Sequence, residues 1–281
     1  MFKRLILFFF IAMLISCGKK IAQREDEIYS RHLQRKVKLT VINTPVPADK
    51  EELNLLILND GQDFPQWRIS TIVDSLWRKK LIQPLFIVGV HAGDRMQEYG
   101  VADKPDYEHR GNRAGYYDAF INDELYFFIK KKVSIRKFKS VAIAGASLGG
   151  LSAFDIAWNH PDKIDKAGVF SGSFWWRDKD SADSTYDENK NRIMYATIKT
   201  SRKKPKLQYW FYAGGKEENS DRDKDGVIDV IDDTQDLINL LLSKKICSPS
   251  DIVFKQDPDG EHNPQWWSAA FPNFLIWAFG K

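Results

Sequence analysis

The stretch KSVAIAGASLGGLSAFDIAW at residues 139–158 decides the fold of this 281-residue chain. Residues 141–144 form a short apolar run of the kind found in fully buried parallel strands. A glycine-rich turn around Ser147 follows, and large apolar residues then recur at helical spacing over 151–158. The sequence predicts a strand, a tight turn and a helix, with Ser147 at the apex of a G-x-S-x-G pattern.

This turn has the features of a nucleophile elbow. A serine hydroxyl becomes a useful nucleophile when a sharp turn exposes it beside a base. Glycines two positions before and after the serine allow close backbone packing, and the following helix offers free N–H groups to a developing oxyanion. We expect Ser147 to be the nucleophile and the N–H of Leu148 to be one oxyanion donor. The alternative is a glycine-rich turn without chemistry.

Composition and element order indicate one large α/β domain over residues 27–281. Hydrophobic residues make up 43% of the chain, and 42 Lys and Arg stand against 38 Asp and Glu, a net charge of +4. The charges are scattered in both signs along the sequence, so no nucleic-acid partner is indicated. Two antiparallel strands are predicted near 27–30 and 37–41. Alternating strands and helices then predict a mostly parallel central sheet covered by helices on both faces.

The N-terminus reads as a targeting segment. Two basic residues precede an apolar run at 5–15, which ends in LISCG and resembles a bacterial lipoprotein signal. We expect a signal peptide at 1–17, lipidation of Cys17, a tether at 18–26, and export to the periplasmic or surface face of a membrane. The alternative is an ordinary cleaved signal peptide. Only Cys247 would remain unmodified, which excludes an intrachain disulfide.

Partners for the serine are expected at the carboxyl ends of the parallel strands. A predicted strand at 207–213 runs into Glu217 and Glu218, and the last strand runs into His262. The order serine, acid, histidine is typical of the α/β-hydrolase fold. We predict His262 as the general base, with Glu217 as the acid that orients it.

Other residues compete for these roles. Glu218 lies next to Glu217, and Asp221 or Asp232 could also supply the acid. His91 directly follows a strand, which makes it the rival base or otherwise a residue of the cleft.

The loop after the first buried strand should overhang the serine. It contains Asp60 and Gln62, and the N–H of Gln62 is our predicted second oxyanion donor.

Five motifs occur in order along the chain. They are LNDGQDF (58–64), DRMQEYG (94–100), GASLGG (145–150), FYAGGKEE (211–218) and GEHNPQWW (260–267). Together they resemble the putative-esterase family related to esterase D, which includes enterochelin-type siderophore esterases and feruloyl and acetyl-xylan esterases. The resemblance spans roughly residues 27–279.

The resemblance implies serine carboxylester hydrolysis, without a required cofactor, of a sugar, phenolic-acid or siderophore ester. The substrate would be a small molecule or a glycan-linked ester. Some relatives are acyltransferases and a few bind without catalysing, so acyl transfer and glycan or siderophore binding are the alternatives. The resemblance also implies that Arg95, Glu98 and Tyr99 line the cleft, although a loop-internal ion pair would explain them equally well. Asp60, His91 and Trp266 are assigned to the same cleft.

An acidic loop at 221–232 has the spacing of an EF-hand, with oxygen-bearing residues at its positions one, three, five, nine and twelve and glycine at six. This spacing predicts a structural calcium site. The ligand side chains would include Asp221, Asp223, Asp225 and Asp232. The alternative is a solvated acidic turn that caps the next helix.

Overall fold

The eight strands of the described residues form one mixed sheet. A computed structural model describes residues 20–281, so the predicted signal peptide and Cys17 lie outside the described residues. The strands are β1 (Ala22–Ser30), β2 (Arg35–Asn43), β3 (Asn54–Asn59), β4 (Leu85–Val90), β5 (Val141–Ala146), β6 (Lys166–Phe170), β7 (Gln208–Gly214) and β8 (Ile252–Asp257). Their order across the sheet is β1-β2-β4-β3-β5-β6-β7-β8. Strands β3 to β8 are mutually parallel, whereas β1 and β2 add an antiparallel edge, which confirms the predicted architecture.

Helices cover both faces of this sheet. They are α1 (Phe64–Trp67), α2 (Ile69–Arg78), α3 (Arg95–Glu98), α4 (Ala114–Ala119), α5 (Tyr126–Val133), α6 (Leu148–Asn159), α7 (Glu188–Asn191), α8 (Ile193–Thr200), α9 (Asp229–Ser243) and α10 (Pro264–Phe279). A π-helical turn at Phe120–Leu125 joins α4 to α5, and 3₁₀ turns lie at Lys50–Glu52, Gly61–Asp63 and Pro249–Asp251. None of the helices in residues 20–281 is long and apolar enough to cross a bilayer.

The period of two along a strand divides the core into two clusters. In β3, Leu55 and Ile57 belong to the cluster under α4, α5, α6, α8 and α9. Leu56 and Leu58 belong to the cluster under α1, α2 and α10. All six β3 residues are buried, as expected for a central parallel strand covered on both faces. This rigid centre carries the loops at the carboxyl ends of the strands.

Several predicted boundaries are wrong. Strand β1 begins at Ala22, so the predicted tether at 18–26 is strand from residue 22 onward. Helix α9 begins at Asp229, so the last part of the acidic loop is helical. Helix α8, between β6 and β7, is a further difference, because the sequence analysis does not predict it.

Candidate active site

The backbone of Ser147 is strained in the manner of a nucleophile elbow. Its φ of 55° and ψ of −126° place a residue with a Cβ in a sparsely populated region. The turn holds this conformation because the Ser147 N–H donates to Phe170 O at 2.8 Å, while Gly150 and Leu151 donate back to its carbonyl. A Cβ on Gly145 would lie 2.4 Å from Gly149 O, so the turn requires glycine at this close approach.

The elbow is also held from the neighbouring strand. Asn59, at the end of β3, donates from Nδ2 to Gly149 O at 2.7 Å and accepts from the Tyr117 hydroxyl at 2.8 Å. Arg95 donates to both carboxylate oxygens of Asp60 and to Ala146 O, the carbonyl just before the serine. These contacts hold the turn in place, because the carbonyl groups of Ala146 and Gly149 accept side-chain hydrogen bonds.

Glu217 and His262 meet as a hydrogen-bonded pair at the ends of β7 and β8. His262 Nδ1 lies 2.8 Å from Glu217 Oε2. The other carboxylate oxygen, Oε1, accepts from Ser171 Oγ at 2.6 Å and from the Gly214 N–H at 2.5 Å. The Glu217 side chain is only 1% exposed, whereas that of His262 is 39% exposed. The carboxylate is therefore buried, with hydrogen bonds to both of its oxygens, and it holds an imidazole that is partly exposed to solvent.

Trp267 makes two contacts that support this pair. The Nε1–H of Trp267 donates to Ser171 Oγ at 2.8 Å. Its ring also packs edge-on against the His262 ring, with centroids 5.1 Å apart. Trp267 thus restrains both the imidazole and the hydroxyl that supports Glu217.

A cleft of about 280 Å³ brings the predicted nucleophile, acid and base to one place. It is lined by Ser147, Ser171, Gly172, Trp175, Glu217, Glu218, Val230 and His262. Ser147 Oγ contacts the Ser173 hydroxyl at 3.5 Å. Because His262 uses Nδ1 for Glu217, its Nε2 is the nitrogen that remains to exchange a proton.

The rival acid and the rival base have other partners. Glu218 also lines the cleft, but its Oε1 accepts from the Val230 N–H at 2.7 Å, and burial raises the pKa of its carboxyl group. Its neighbour Glu217 holds the histidine instead. His91 Nε2 lies 2.8 Å from the Thr40 hydroxyl on β2, and the residue does not line the cleft.

Both predicted oxyanion donors lie where a main-chain N–H can be free to bind a ligand. Leu148 is the first residue of α6, where amides have no partner within the helix. Gln62 lies in the 3₁₀ turn after Asp60, and its side chain bonds to the Asp60 carboxylate and to the Ala92 N–H. Within residues 20–281, neither main-chain N–H donates a hydrogen bond to the protein.

The predicted cleft residues of the 94–100 motif require correction. Glu98 and Tyr99 are 2% and 0% exposed, and neither lines the cleft. Glu98 forms a two-pronged ion pair with Arg35, at 2.7 and 2.6 Å. The Tyr99 hydroxyl accepts from the Asp60 N–H at 3.0 Å, and burial raises its pKa well above the usual range. These residues form the frame of the loop. The alternative, an ion pair formed within the 94–100 motif itself, is also absent among the described residues.

The remaining predicted cleft residues also lie elsewhere. Asp60 is buried beside the elbow, Arg95 is half-buried and paired with it, and Trp266 packs against the second core cluster. Trp175 provides the aromatic wall of the cleft instead. Sequence reasoning missed Ser171 and Ser173, although both follow β6 at the carboxyl edge of the sheet, where the strand-end rule could have found them.

The acidic loop brings three of its four predicted ligands together. Carboxylate oxygens of Asp221, Asp223 and Asp225 lie within 4.8 Å of one another. Asp232 is not part of this group, because it lies in the first turns of α9. Burial and neighbouring carboxylates raise its pKa to about 6. Asp229, at the ninth loop position, pairs with Arg222. A calcium site here stays a prediction.

The fold and this arrangement define the class of protein. A mostly parallel sheet with a strained serine turn after β5, an acid after β7 and a histidine after β8 is the α/β-hydrolase arrangement. Residues 30–278 match the model of the family described as "Putative esterase", and the chain belongs to that family.

Three known proteins of similar structure or sequence share between 16% and 23% identity with this chain. An enterobactin esterase of Shigella flexneri, solved in the presence of enterobactin, superposes with a TM-score of 0.69 at 20% identity, covering 91% of this chain. This chain spans 58% of the length of that enzyme. A ferulic acid esterase superposes with a TM-score of 0.68 at 16% identity, covering 92% of this chain and 98% of its own. The uncharacterized protein YbbA of Bacillus subtilis is 23% identical over 229 residues, 80% of this chain and 84% of its own.

Proposed function

We propose that this protein is a serine carboxylester hydrolase that acts through an acyl-enzyme, with Ser147, Glu217 and His262 as its catalytic triad. The observation that carries the proposal is the Glu217–His262 hydrogen bond, in a cleft that Ser147 also lines from a strained turn. Membership of an esterase family supports the same reaction.

In the proposed first half-reaction, Ser147 Oγ attacks the ester carbonyl carbon while His262 Nε2 accepts its proton. The carbonyl oxygen becomes an oxyanion, stabilised by the N–H groups of Leu148 and Gln62. The carbon–oxygen bond to the alcohol then breaks, and the imidazolium returns the proton to the leaving oxygen. Glu217 keeps the ring oriented and stabilises its positive charge.

In the second half-reaction, water attacks the acyl-enzyme. His262 takes a proton from the water, the serine ester bond breaks, and the proton returns to Ser147 Oγ. The products are the alcohol, the carboxylic acid and the regenerated enzyme. Because the imidazole is exposed and solvent reaches it directly, we expect the acyl group to be transferred to water and not to an alcohol.

The proposed substrate is an ester of a phenolic acid, a sugar or a siderophore. The enterobactin and ferulic acid esterases of similar fold support this class. Trp175 supports it too, because an aromatic wall packs well against a phenolic ring or a sugar face. A screen of feruloyl, acetyl-sugar and siderophore esters would define the acyl and alcohol parts.

A fluorophosphonate probe tests the nucleophile. We expect covalent labelling of the folded protein that disappears in Ser147→Ala. Ser173→Ala is the matched control, because its hydroxyl lies only 3.5 Å from that of Ser147 yet sits on an ordinary loop. Labelling that persists in Ser147→Ala, or that follows Ser173 instead, would refute the assignment. Absence of labelling would favour a binding protein.

We also propose that the chain is exported as a lipoprotein through Cys17. The support is the sequence pattern alone, since Cys17 lies outside the described residues. Cys17→Ser should abolish incorporation of labelled palmitate and change the processing of the precursor. Unchanged lipid labelling in that variant would contradict the proposal.

A further inference from the structure

The parallel topology gathers six loops at the edge opposite the cleft. Each of these entry loops leads into the N-terminal end of one strand from β3 to β8, and parallel strands place those ends together. The entry loops are residues 44–53, 79–84, 134–140, 160–165, 201–207 and 244–251.

The entry loops are strongly basic. They contain 13 Lys and Arg against 6 Asp and Glu. The exit loops at the cleft edge show the reverse, with 18 Asp and Glu against 9 Lys and Arg. These exit loops are residues 60–63, 91–113, 171–187, 215–228 and 258–263. Charges that are scattered along the sequence are therefore sorted by the fold into a basic edge and an acidic edge. The scattered pattern in the sequence does not predict this separation.

Most of the basic side chains at this edge are unpaired. The 201–207 loop carries four of them, Arg202, Lys203, Lys204 and Lys206, and all four are exposed. Within the described part of the chain none of these four side chains forms an ion pair, and the same holds for Lys79, Lys80, Arg136, Lys137 and Lys245. Such a concentration of unpaired like charge raises the local potential and attracts an anionic surface.

The N-terminal end of the described chain lies at this same edge. Ala22, where β1 begins, pairs with Asn43, and Asn43 pairs with Phe86 near the start of β4. Lys20, two residues earlier, is exposed. Cys17 is five residues before Ala22, and an extended chain spans at most ~3.6 Å per residue, about 18 Å in all. A lipid on Cys17 would therefore hold the basic edge, and not the cleft, next to the bilayer.

We propose that the entry-loop edge is a docking surface for an anionic lipid bilayer, with the cleft facing the aqueous side. A single lipid-modified terminus anchors stably when a polybasic patch adds electrostatic attraction to anionic headgroups. Charge complementarity and the position of Ala22 both select a bilayer as the occupant. The surface does not depend on ester hydrolysis, and its test is separate from that of the cleft.

Vesicle binding by the unlipidated chain isolates the electrostatic contribution. A chain that begins at Gly18 retains every strand and helix of the described structure. We expect it to bind phosphatidylcholine vesicles that contain phosphatidylglycerol, and not vesicles of phosphatidylcholine alone. High salt should release it, because salt screens exposed charges. Turnover of a soluble ester should be unchanged on the vesicle.

Neutralising one loop gives the decisive variant. Replacing Arg202, Lys203, Lys204 and Lys206 by Gln should lower the partition coefficient by about 100-fold or more, since each basic residue near an anionic surface contributes a factor of about five. The matched control replaces Lys104, Lys179, Lys190 and Lys224, at the cleft edge or beside it, and should bind as the parent does. Equal losses in both variants, or no preference for anionic vesicles, would overturn the proposal. Tighter binding to duplex DNA than to anionic vesicles would also overturn it.

Discussion

Two buried carboxylates in exit loops illustrate how similar surroundings can serve different purposes. Glu217 and Glu98 are 1% and 2% exposed, and each accepts a main-chain N–H beside a charged or chargeable partner. The partner of Glu217 is His262, which opens onto the cleft. The partner of Glu98 is Arg35, which ties the start of β2 to the loop after β4. A carboxylate is a candidate for catalysis only if its partner reaches the reacting atoms.

Removing the histidine of the first pair should have the largest effect. His262→Ala removes the proposed base of Ser147, so we expect kcat/KM for an activated ester to fall roughly 10⁴-fold or more with the fold intact. Steady-state kinetics and far-UV circular dichroism on the same preparation would measure this. His91→Ala is the control and should retain near-normal rates, because His91 is bonded to Thr40. Near-normal activity in His262→Ala would place the base elsewhere.

The acid can be separated from its neighbour by a paired substitution. Glu217→Gln keeps the shape but loses the charge that orients and stabilises the imidazolium, and kcat should fall by about 10³–10⁴-fold. Glu218→Gln changes the adjacent residue, whose carboxylate bonds to Val230, and should alter kcat far less. If the two variants lost activity equally, Glu217 would not be the distinct triad acid.

The second carboxylate should affect stability instead of turnover. Glu98→Gln leaves Arg35 without its counter-charge, and we expect the free energy of unfolding to fall by about 2–3 kcal/mol, less than for a fully buried pair because Arg35 is 25% exposed. Urea denaturation measures this, and kcat at a permissive temperature should be nearly unchanged. Glu108→Gln should cost little, because the Glu108 side chain is 49% exposed and Arg110 keeps its ion pair with Asp106. A large loss of kcat in folded Glu98→Gln would move this residue into the catalytic machinery.

The smallest expected effect concerns the acidic loop that follows Glu217. If calcium binds Asp221, Asp223 and Asp225, it should raise the melting temperature by about 2–4 °C per kcal/mol of binding linkage. Chelator should reverse the shift, and Asp223→Asn should abolish it. Scanning calorimetry with calcium and with magnesium would measure it. A melting temperature that calcium leaves unmoved would contradict the calcium prediction.

The parts of the molecule that sequence predicts best are those in which a local pattern has one physical meaning. A buried run before a glycine turn predicted β5 and α6, and the strand-end rule brought Glu217 and His262 together. The resemblance motif at 94–100 was less informative, because a motif does not show whether Glu98 faces a cleft or an arginine on another strand.

Other features carried weak signals or none. Strand β1 is an edge strand with many charged residues, so its first half resembles a polar linker. Ser171 supports Glu217 across 46 positions of sequence, and a single serine after a strand has no distinguishing pattern. The basic edge is not apparent in the sequence, because only the run at 202–206 is local and the other nine of its 13 basic residues come from five separate loops.

The acidic exit loops have a consequence for product release. An ester is neutral at its reacting group, whereas the carboxylic acid formed from it ionises at neutral pH. An excess of carboxylates around the mouth of the cleft repels that anion but not the ester that produced it. The loops that carry the proposed acid and base, Glu217 and His262, would therefore favour departure of the acid over its rebinding, and accumulated product would compete weakly with fresh ester.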